Sequence, residues 1–194
     1  MPERKAAFLY TPLFCEENIW LLTNKLRDSG RSDEPMSVLF FSNPSKSIML
    51  WRQKAAQAGQ AIVWDYHVVL QVHRNQDDWI YDFDSRLPFP CCLSTYLSLT
   101  FPEQTALPER YRTWIRQIPA REYLKHLYSD RSHMEGKIPT DQFPDYPIIK
   151  PDRSCPPIPL SDYWDMNKQL FDSSLVIDLE TYRHLGNQQQ PPQR

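Results

Sequence analysis

The segment from Ala61 to His73 constrains the fold most, because it is rich in β-branched and aromatic residues that alternate along an extended chain. In an extended strand Tyr66 and Val68 point to one face, and His67 and Val69 point to the other. The polar run from Arg74 to Asp78 predicts a hairpin onto a second strand from Trp79 to Phe83. The pattern therefore predicts a sheet that is mainly antiparallel.

The hairpin register brings a histidine close to two aspartates. A four-residue loop at Arg74 to Asp77 places His73 opposite Asp78. His67 then faces Asp84 and lies diagonally next to Asp82 on the same face. A register slip of two residues exchanges the two carboxylates, so the residues alone leave both assignments open.

The remaining elements predict helices on both sides of this sheet. A helix begins at Cys15, with Glu16 and Glu17 in its first turn, and stops at Asp28-Ser29-Gly30. Further strands are expected at Ser37–Ser42, Thr113–Ile118 and Leu175–Ile177, and further helices at Leu93–Leu99, Arg121–Tyr128 and Asp178–Leu185. The proline-rich stretch 139–159 is expected to wrap over the surface of a single catalytic domain of residues 1–186, followed by a disordered tail from 187 to 194.

Composition excludes several classes of protein. A chain of 194 residues with 41% hydrophobic and 13% aromatic residues is expected to fold. With 22 basic and 24 acidic residues, the chain has no excess of positive charge with which to bind nucleic acid. Its 4 glycines exclude a Gly-rich phosphate loop. The sequence shows no membrane helix and no signal-peptide core, so a cytoplasmic and nuclear protein with no membrane partner is expected.

The cysteines are interpreted as reduced thiols, because Cys15, Cys91, Cys92 and Cys155 form no CxxC pair. The five histidines supply no second ligand cluster at the spacing of a zinc site, so no metal is expected.

Three residues form a candidate catalytic set. Cys15 at a helix N-terminus, His67 on a strand and Asp82 on the next strand match a nucleophile, a base and its orienting carboxylate. The helix dipole favours a thiolate at Cys15. The alternatives are a small buried cysteine, a core histidine, and aspartates that pair with Arg86 at the surface.

Several strings resemble the N-terminal glutamine amidohydrolase family, in the family's order and from about Phe8 to about Leu185. They are Cys15-Glu16-Glu17-Asn18-Ile19-Trp20, Trp64-Asp65-Tyr66-His67-Val68-Val69, Tyr81-Asp82-Phe83-Asp84 followed by Leu87-Pro88-Phe89-Pro90, and Ser129-Asp130-Arg131-Ser132-His133-Met134. The chain departs from the family at Leu13, where members often carry another cysteine, and in the divergent segment 165–174.

The resemblance implies conversion of an N-terminal glutamine of a protein to glutamate with release of ammonia, a step of the N-degron pathway. It implies an α-β-α sandwich related to transglutaminase and papain-like enzymes, with no cofactor. Cys15, His67 and Asp82 match the family's catalytic residues, which selects Asp82 over Asp84. Recognition of the free substrate ammonium requires an acceptor, and the acidic candidates are Glu16, Glu17, Asp65 and Asp130.

Two other readings of the same residues stay open. A transglutaminase-like enzyme or thiol peptidase could use the same three side chains for acyl transfer. A non-catalytic module would merely bind protein N-termini or a partner, and its Cys15 would have ordinary reactivity. A monomer is expected in each case.

Overall fold

A six-stranded antiparallel sheet organises the chain. The computed structural model describes residues 5–188, and the side chains of residues 5–185. The strand order is β10-β7-β1-β4-β5-β6. These strands are β1 Met36–Ser42, β4 His67–Arg74, β5 Asp77–Tyr81, β6 Cys91–Cys92, β7 Trp114–Pro119 and β10 Leu175–Asp178.

Alternation along the central strands separates two apolar layers. Val38 and Phe40 of β1 face one side with helices α1, α3 and α4, and Leu39 and Phe41 face the other side with α2 and α5. The helices are α1 Cys15–Leu26, α2 Leu93–Thr100, α3 Ala120–His126, α4 Leu160–Trp164 and α5 Leu179–Gln188. The expected α-β-α sandwich with a mainly antiparallel sheet is therefore confirmed.

The prediction of one continuous strand from Ala61 to His73 is wrong. The chain forms β3 Ile62–Trp64, breaks at Asp65 and Tyr66, and resumes as β4. At the break the Asp65 carboxylate accepts the Tyr66 N–H at 3.1 Å, and Ser42 Oγ donates to the Asp65 carbonyl at 2.7 Å. β3 instead pairs with β2 Ile48–Leu50 in a separate two-stranded sheet. These local bonds compete with the ladder and turn the chain.

The hairpin keeps the predicted register but has a shorter loop. His73 pairs with Asp78 as expected, and Arg74 pairs with Asp77 as well. The turn is therefore only Asn75-Gln76, both with positive φ, as two-residue hairpins require. The second strand ends at Tyr81 rather than Phe83, because Asp82 Oδ1 accepts the Asp84 N–H at 2.8 Å and bends the chain.

The C-terminal part differs only in detail. The helix predicted at Arg121–Tyr128 ends at His126, and β8 Leu127–Tyr128 pairs in parallel with β9 Ile158–Pro159. Stretch 139–159 carries one 3-10 turn, one isolated bridge and β9. Of the predicted tail, 187 and 188 continue α5, and the rest lies outside the described residues.

Within residues 5–188 we find no helix that is both long and apolar enough to cross a membrane. All four cysteines are free thiols, as expected. Cys91 is buried in the apolar layer beneath α2, where it packs as a small hydrophobic residue.

Candidate active site

Cys15 is the first residue of α1 and lines a cavity of about 460 Å³. Phe14, directly before it, is fully buried and anchors the start of the helix. No side chain caps this N-terminus, so helical N–H groups at the start of α1 are not taken by a cap. His67, the first residue of β4, lines the same cavity. The fold thus brings together a thiol and an imidazole that are 52 positions apart in sequence.

Asp82 holds His67 from the side away from the cavity. Its Oδ2 lies 3.0 Å from His67 Nε2 and accepts the Tyr96 hydroxyl at 2.7 Å, while Oδ1 accepts the Asp84 N–H. Burial opposes the charge on this carboxylate, but the attraction of His67 and these hydrogen bonds outweigh it and lower the pKa of Asp82 to about 2. Asp82 is therefore an anion at neutral pH, placed to stabilise an imidazolium.

The second nitrogen of His67 is available. His67 is 1% exposed, and its Nδ1 has no hydrogen-bond partner within residues 5–185. Burial lowers the pKa of His67, but the charge of Asp82 and the contact with it outweigh burial, so the net shift is upward. An imidazole with a raised pKa and a free nitrogen at a cavity wall can accept a proton and return it.

The thiol differs from the expectation of a ready thiolate. Burial raises the pKa of Cys15 well above its ordinary value, and the carboxyl groups of Glu16 and Asp84 add to this shift. A hydrogen bond from the Val68 N–H acts in the opposite direction. The uncharged thiol is thus favoured in the free protein, and the helix N-terminus alone does not ionise it. Ionisation of Cys15 requires proton transfer to a neighbouring base.

Glu16 lies beside the thiol as a buried acid. Its Oε2 is 3.7 Å from Cys15 Sγ and accepts the Tyr66 hydroxyl at 3.0 Å, and its Oε1 is 3.4 Å from His133 Nε2. Burial, followed by repulsion from Glu17, raises the pKa of Glu16 to about 8. Glu16 is consequently mostly protonated at neutral pH.

Glu17 points away from the cavity into a saturated ion pair. Arg131 contacts its two oxygens at 2.9–3.2 Å, and Ser129 Oγ donates to it at 2.8 Å. Arg131 also donates to the carbonyls of Pro144 and Tyr146. These contacts tie the proline-rich stretch to α1.

The other predicted acidic residues separate into two groups. Asp65 is exposed and lines the cavity, whereas Asp130 is exposed, accepts the Ser132 N–H and hydroxyl, and is absent from the cavity wall. Asp84, which the sequence suggested only as a partner of His67, also lines the cavity and accepts the Tyr10 hydroxyl at 2.6 Å.

Tyr96 and Tyr10 are site residues that sequence reasoning missed. Both contact an aspartate of the Tyr81-Asp82-Phe83-Asp84 string from distant segments. No local pattern marks them, because a lone tyrosine on a helix or in a loop is an ordinary packing residue.

His67, Asp82 and Asp84 are the set in the described part of the chain whose ligand atoms, all within 4.8 Å of one another, could hold a metal ion. Both oxygens of Asp82, however, already accept hydrogen bonds. A larger cavity of about 650 Å³ lies elsewhere, between Arg27, His73, Gln117 and Arg121, and has no cysteine in its wall. Reactive side chains, rather than size, identify the candidate site.

Fold and site together define an α-β-α protein in which a thiol and an imidazole line one cavity and a buried carboxylate contacts the imidazole from behind. A family model described as N-terminal glutamine amidase matches residues 10–186, and the chain belongs to this family.

Three curated relatives are similar in sequence to most of this chain, and each is named "Protein N-terminal glutamine amidohydrolase". The relative from Danio rerio is 35% identical over 182 residues, 92% of this chain and 89% of the relative. The Homo sapiens relative is 37% identical over 153 residues, covering 77% and 74% of the two chains. The Arabidopsis thaliana relative is 36% identical over 155 residues, covering 75% and 70%.

Proposed function

We propose that this protein hydrolyses the side-chain amide of an N-terminal glutamine in proteins and peptides, giving N-terminal glutamate and ammonia. The observation that carries the proposal is that Cys15 and His67 line one cavity, with Asp82 behind the imidazole, in a member of the N-terminal glutamine amidase family. Cys15 is the nucleophile, His67 is the acid and base, and Asp82 is the positioning residue for the imidazole.

The first half of the reaction forms a thioester. Cys15 Sγ attacks the amide carbon while its proton passes to His67 Nδ1, the nitrogen without a partner. Because burial favours the uncharged thiol at rest, Cys15 needs His67 to take its proton in order to act as the nucleophile. The tetrahedral intermediate collapses, its C–N bond breaks, and His67 returns the proton to the departing ammonia.

The second half of the reaction consumes one water molecule. His67 removes a proton from water as the oxygen attacks the thioester carbon, and the C–S bond then breaks. The sulfur recovers a proton and the product is a glutamate side chain. Asp82 stays ionised throughout because its pKa is about 2, and it stabilises each imidazolium form of His67.

An oxyanion forms twice in this sequence and needs hydrogen-bond donors. The backbone N–H of Cys15 is the first candidate, since it lies at the uncapped start of α1. A donor of this kind contributes about 3–4 kcal/mol to transition-state stabilisation in other enzymes.

The test is a short peptide that begins with glutamine, supplied beside an N-acetylated copy and assayed by mass spectrometry and ammonia release. We expect conversion of the free-amine peptide to the glutamate form at unchanged chain length, and no conversion with Cys15→Ala. Cys155→Ala is the matched control, because that thiol lies outside the cavity wall.

Three other results would contradict the proposal. Turnover of the acetylated copy would favour a broader amidase, and a shortened peptide would favour a thiol peptidase. Absence of turnover on every peptide would favour a module that only binds protein N-termini.

A further inference from the structure

A protein that acts only at a chain terminus must recognise the α-ammonium of its substrate. In glutamine this nitrogen lies four bonds from the amide carbon, about 4–5 Å away. Since Cys15 attacks that carbon, the ammonium acceptor must belong to the cavity that Cys15 lines. Burial strengthens such a contact, because an exposed ion pair contributes little.

Three of the four acidic residues predicted from the sequence do not meet these requirements. Glu17 is saturated by Arg131 and Ser129, and Asp130 is not part of the cavity wall. Glu16 is fully buried against Tyr66 and His133 and is not part of the cavity wall.

Asp65 and Asp84 both line the cavity, but their surroundings differ. Asp65 is exposed, and its Oδ1 accepts the N–H of Tyr66. Asp84 is half-buried, and one of its oxygens lies within 4.8 Å of ligand atoms of His67 and Asp82. The Asp84 carboxylate therefore lies beside the imidazole and shares the cavity wall with Cys15.

Asp84 is also held in place while keeping acceptor capacity. The Tyr10 hydroxyl donates to its Oδ1 at 2.6 Å, whereas Oδ2 accepts no hydrogen bond from the described residues. Tyr10 stacks on Phe83 with ring centroids 5.6 Å apart, which fixes the hydroxyl. Lys54 lines the same wall, 5.3 Å from the Tyr10 ring centroid, and offsets part of the negative charge.

We propose that Asp84, positioned by Tyr10, binds the α-ammonium of the substrate and thereby restricts deamidation to glutamine at a chain terminus. This inference rests on the proposed function. It assigns to Asp84 the recognition of the free amine and to Asp82 the positioning of His67, so that two aspartates two residues apart have different tasks.

The test compares two peptides that differ only at the amine. One begins with glutamine, and the other begins with a 4-carbamoylbutanoyl group, which is glutamine without its α-amine. The proteins are wild type, Asp84→Asn, Asp65→Asn and, as a control for loss of an exposed carboxylate elsewhere, Asp172→Asn. The asparagine at position 84 keeps the backbone N–H that binds Asp82.

We expect Asp84→Asn to lower kcat/KM for the glutamine peptide by about 10- to 100-fold, mainly through KM, because a charge-assisted contact is lost. Turnover of the amine-free peptide should change less than about 3-fold. Asp172→Asn should act as wild type on both peptides.

Equal losses on both peptides would mean that Asp84 only supports the catalytic residues, and would overturn the inference. A selective loss in Asp65→Asn instead would assign the ammonium to Asp65 and also overturn it. Absence of turnover by wild type would overturn the proposed function itself, and this inference with it.

Discussion

Cys15 and Glu17 begin the same helix two residues apart, yet their surroundings are opposite. Around Glu17 every charged atom is matched, with Arg131 and Ser129 on its two oxygens. Around Cys15 the polar groups are not all matched, because His67 Nδ1 has no hydrogen-bond partner among the described residues and Cys15 lines an open cavity. At the start of α1, therefore, the imidazole without a partner lies on the side of the cavity, and the saturated ion pair lies on the supporting side.

The largest effect should follow from loss of the unmatched imidazole. We expect His67→Gln to lower kcat/KM for the glutamine peptide by at least about 10⁴-fold, because proton transfer to and from the substrate is lost. The variant should remain folded, since glutamine can still donate to Asp82. His73→Gln replaces an exposed histidine that is not part of the cavity that Cys15 lines. It is the control and should keep full activity. Activity within tenfold of wild type in His67→Gln would remove His67 from the chemistry.

Breaking the saturated region should change stability instead. Arg131→Met leaves Glu17 buried without its counter-charge, and we expect the free energy of unfolding to fall by about 3–5 kcal/mol. Urea unfolding measures this change. Arg121→Met, at an exposed arginine that contacts only Glu122, should change it by less than about 0.5 kcal/mol. Equal effects of the two substitutions would mean that the Glu17 pair is not structural.

Glu16 lies between the two regions and can be tested by pH. Its pKa is about 8 in the folded state against an ordinary value near 4.5, so folding favours the protonated form. The associated stability is complete below about pH 4.5 and is lost as the pH rises towards 8. Glu16→Gln, which cannot ionise, should therefore become more stable relative to wild type across this window, by a few kcal/mol at most.

The measurement is the difference in unfolding free energy between the two proteins at several pH values. The contributions of all other titrating groups are the same in both proteins and cancel in this difference. A difference that stays constant from pH 5 to pH 8 would contradict the protonated state assigned to Glu16.

The smallest effect is expected at the hydroxyl that supports Asp82. Tyr96→Phe removes the 2.7 Å hydrogen bond to Oδ2, which should raise the pKa of Asp82 and lower kcat/KM by about 5- to 20-fold. Tyr182→Phe is the control, because it removes a hydrogen bond of the same length, 2.7 Å, which the Tyr182 hydroxyl donates to Gln71 away from the cavity. Both variants should lose similar stability, and only Tyr96→Phe should lose activity. Unchanged activity in Tyr96→Phe would mean that His67 alone orients Asp82.

Local patterns predicted most of the secondary structure. Helix α1 and its first residue, the hairpin register of His73 with Asp78, and strands β1, β7 and β10 follow from apolar periodicity and turn residues. The two errors in the strand bounds at Asp65 and Asp82 have one cause. At Asp65 and Asp82 a carboxylate binds a nearby backbone N–H and ends a strand that periodicity would continue.

The candidate site was predictable only in part. The family resemblance placed Cys15, His67 and Asp82 together, and the structure brings Cys15 and His67 to one cavity and His67 to within 3.0 Å of Asp82. The four acidic residues near these strings could not be ranked in the same way. The surroundings of Glu16 and Glu17, for example, depend on His133 and Arg131, which lie more than a hundred positions away.

The sequence by itself determined which residues can carry the chemistry and on which elements they stand, because periodicity and residue type are local properties. Only the tertiary structure decided what each group does: that Cys15 is an uncharged thiol, that Glu17 is structural, and that Asp84 keeps a free oxygen at the cavity. The physical reason is that burial, charge and hydrogen bonding set the state of an ionisable group, and these depend on segments distant in sequence as well as on its neighbours in the chain.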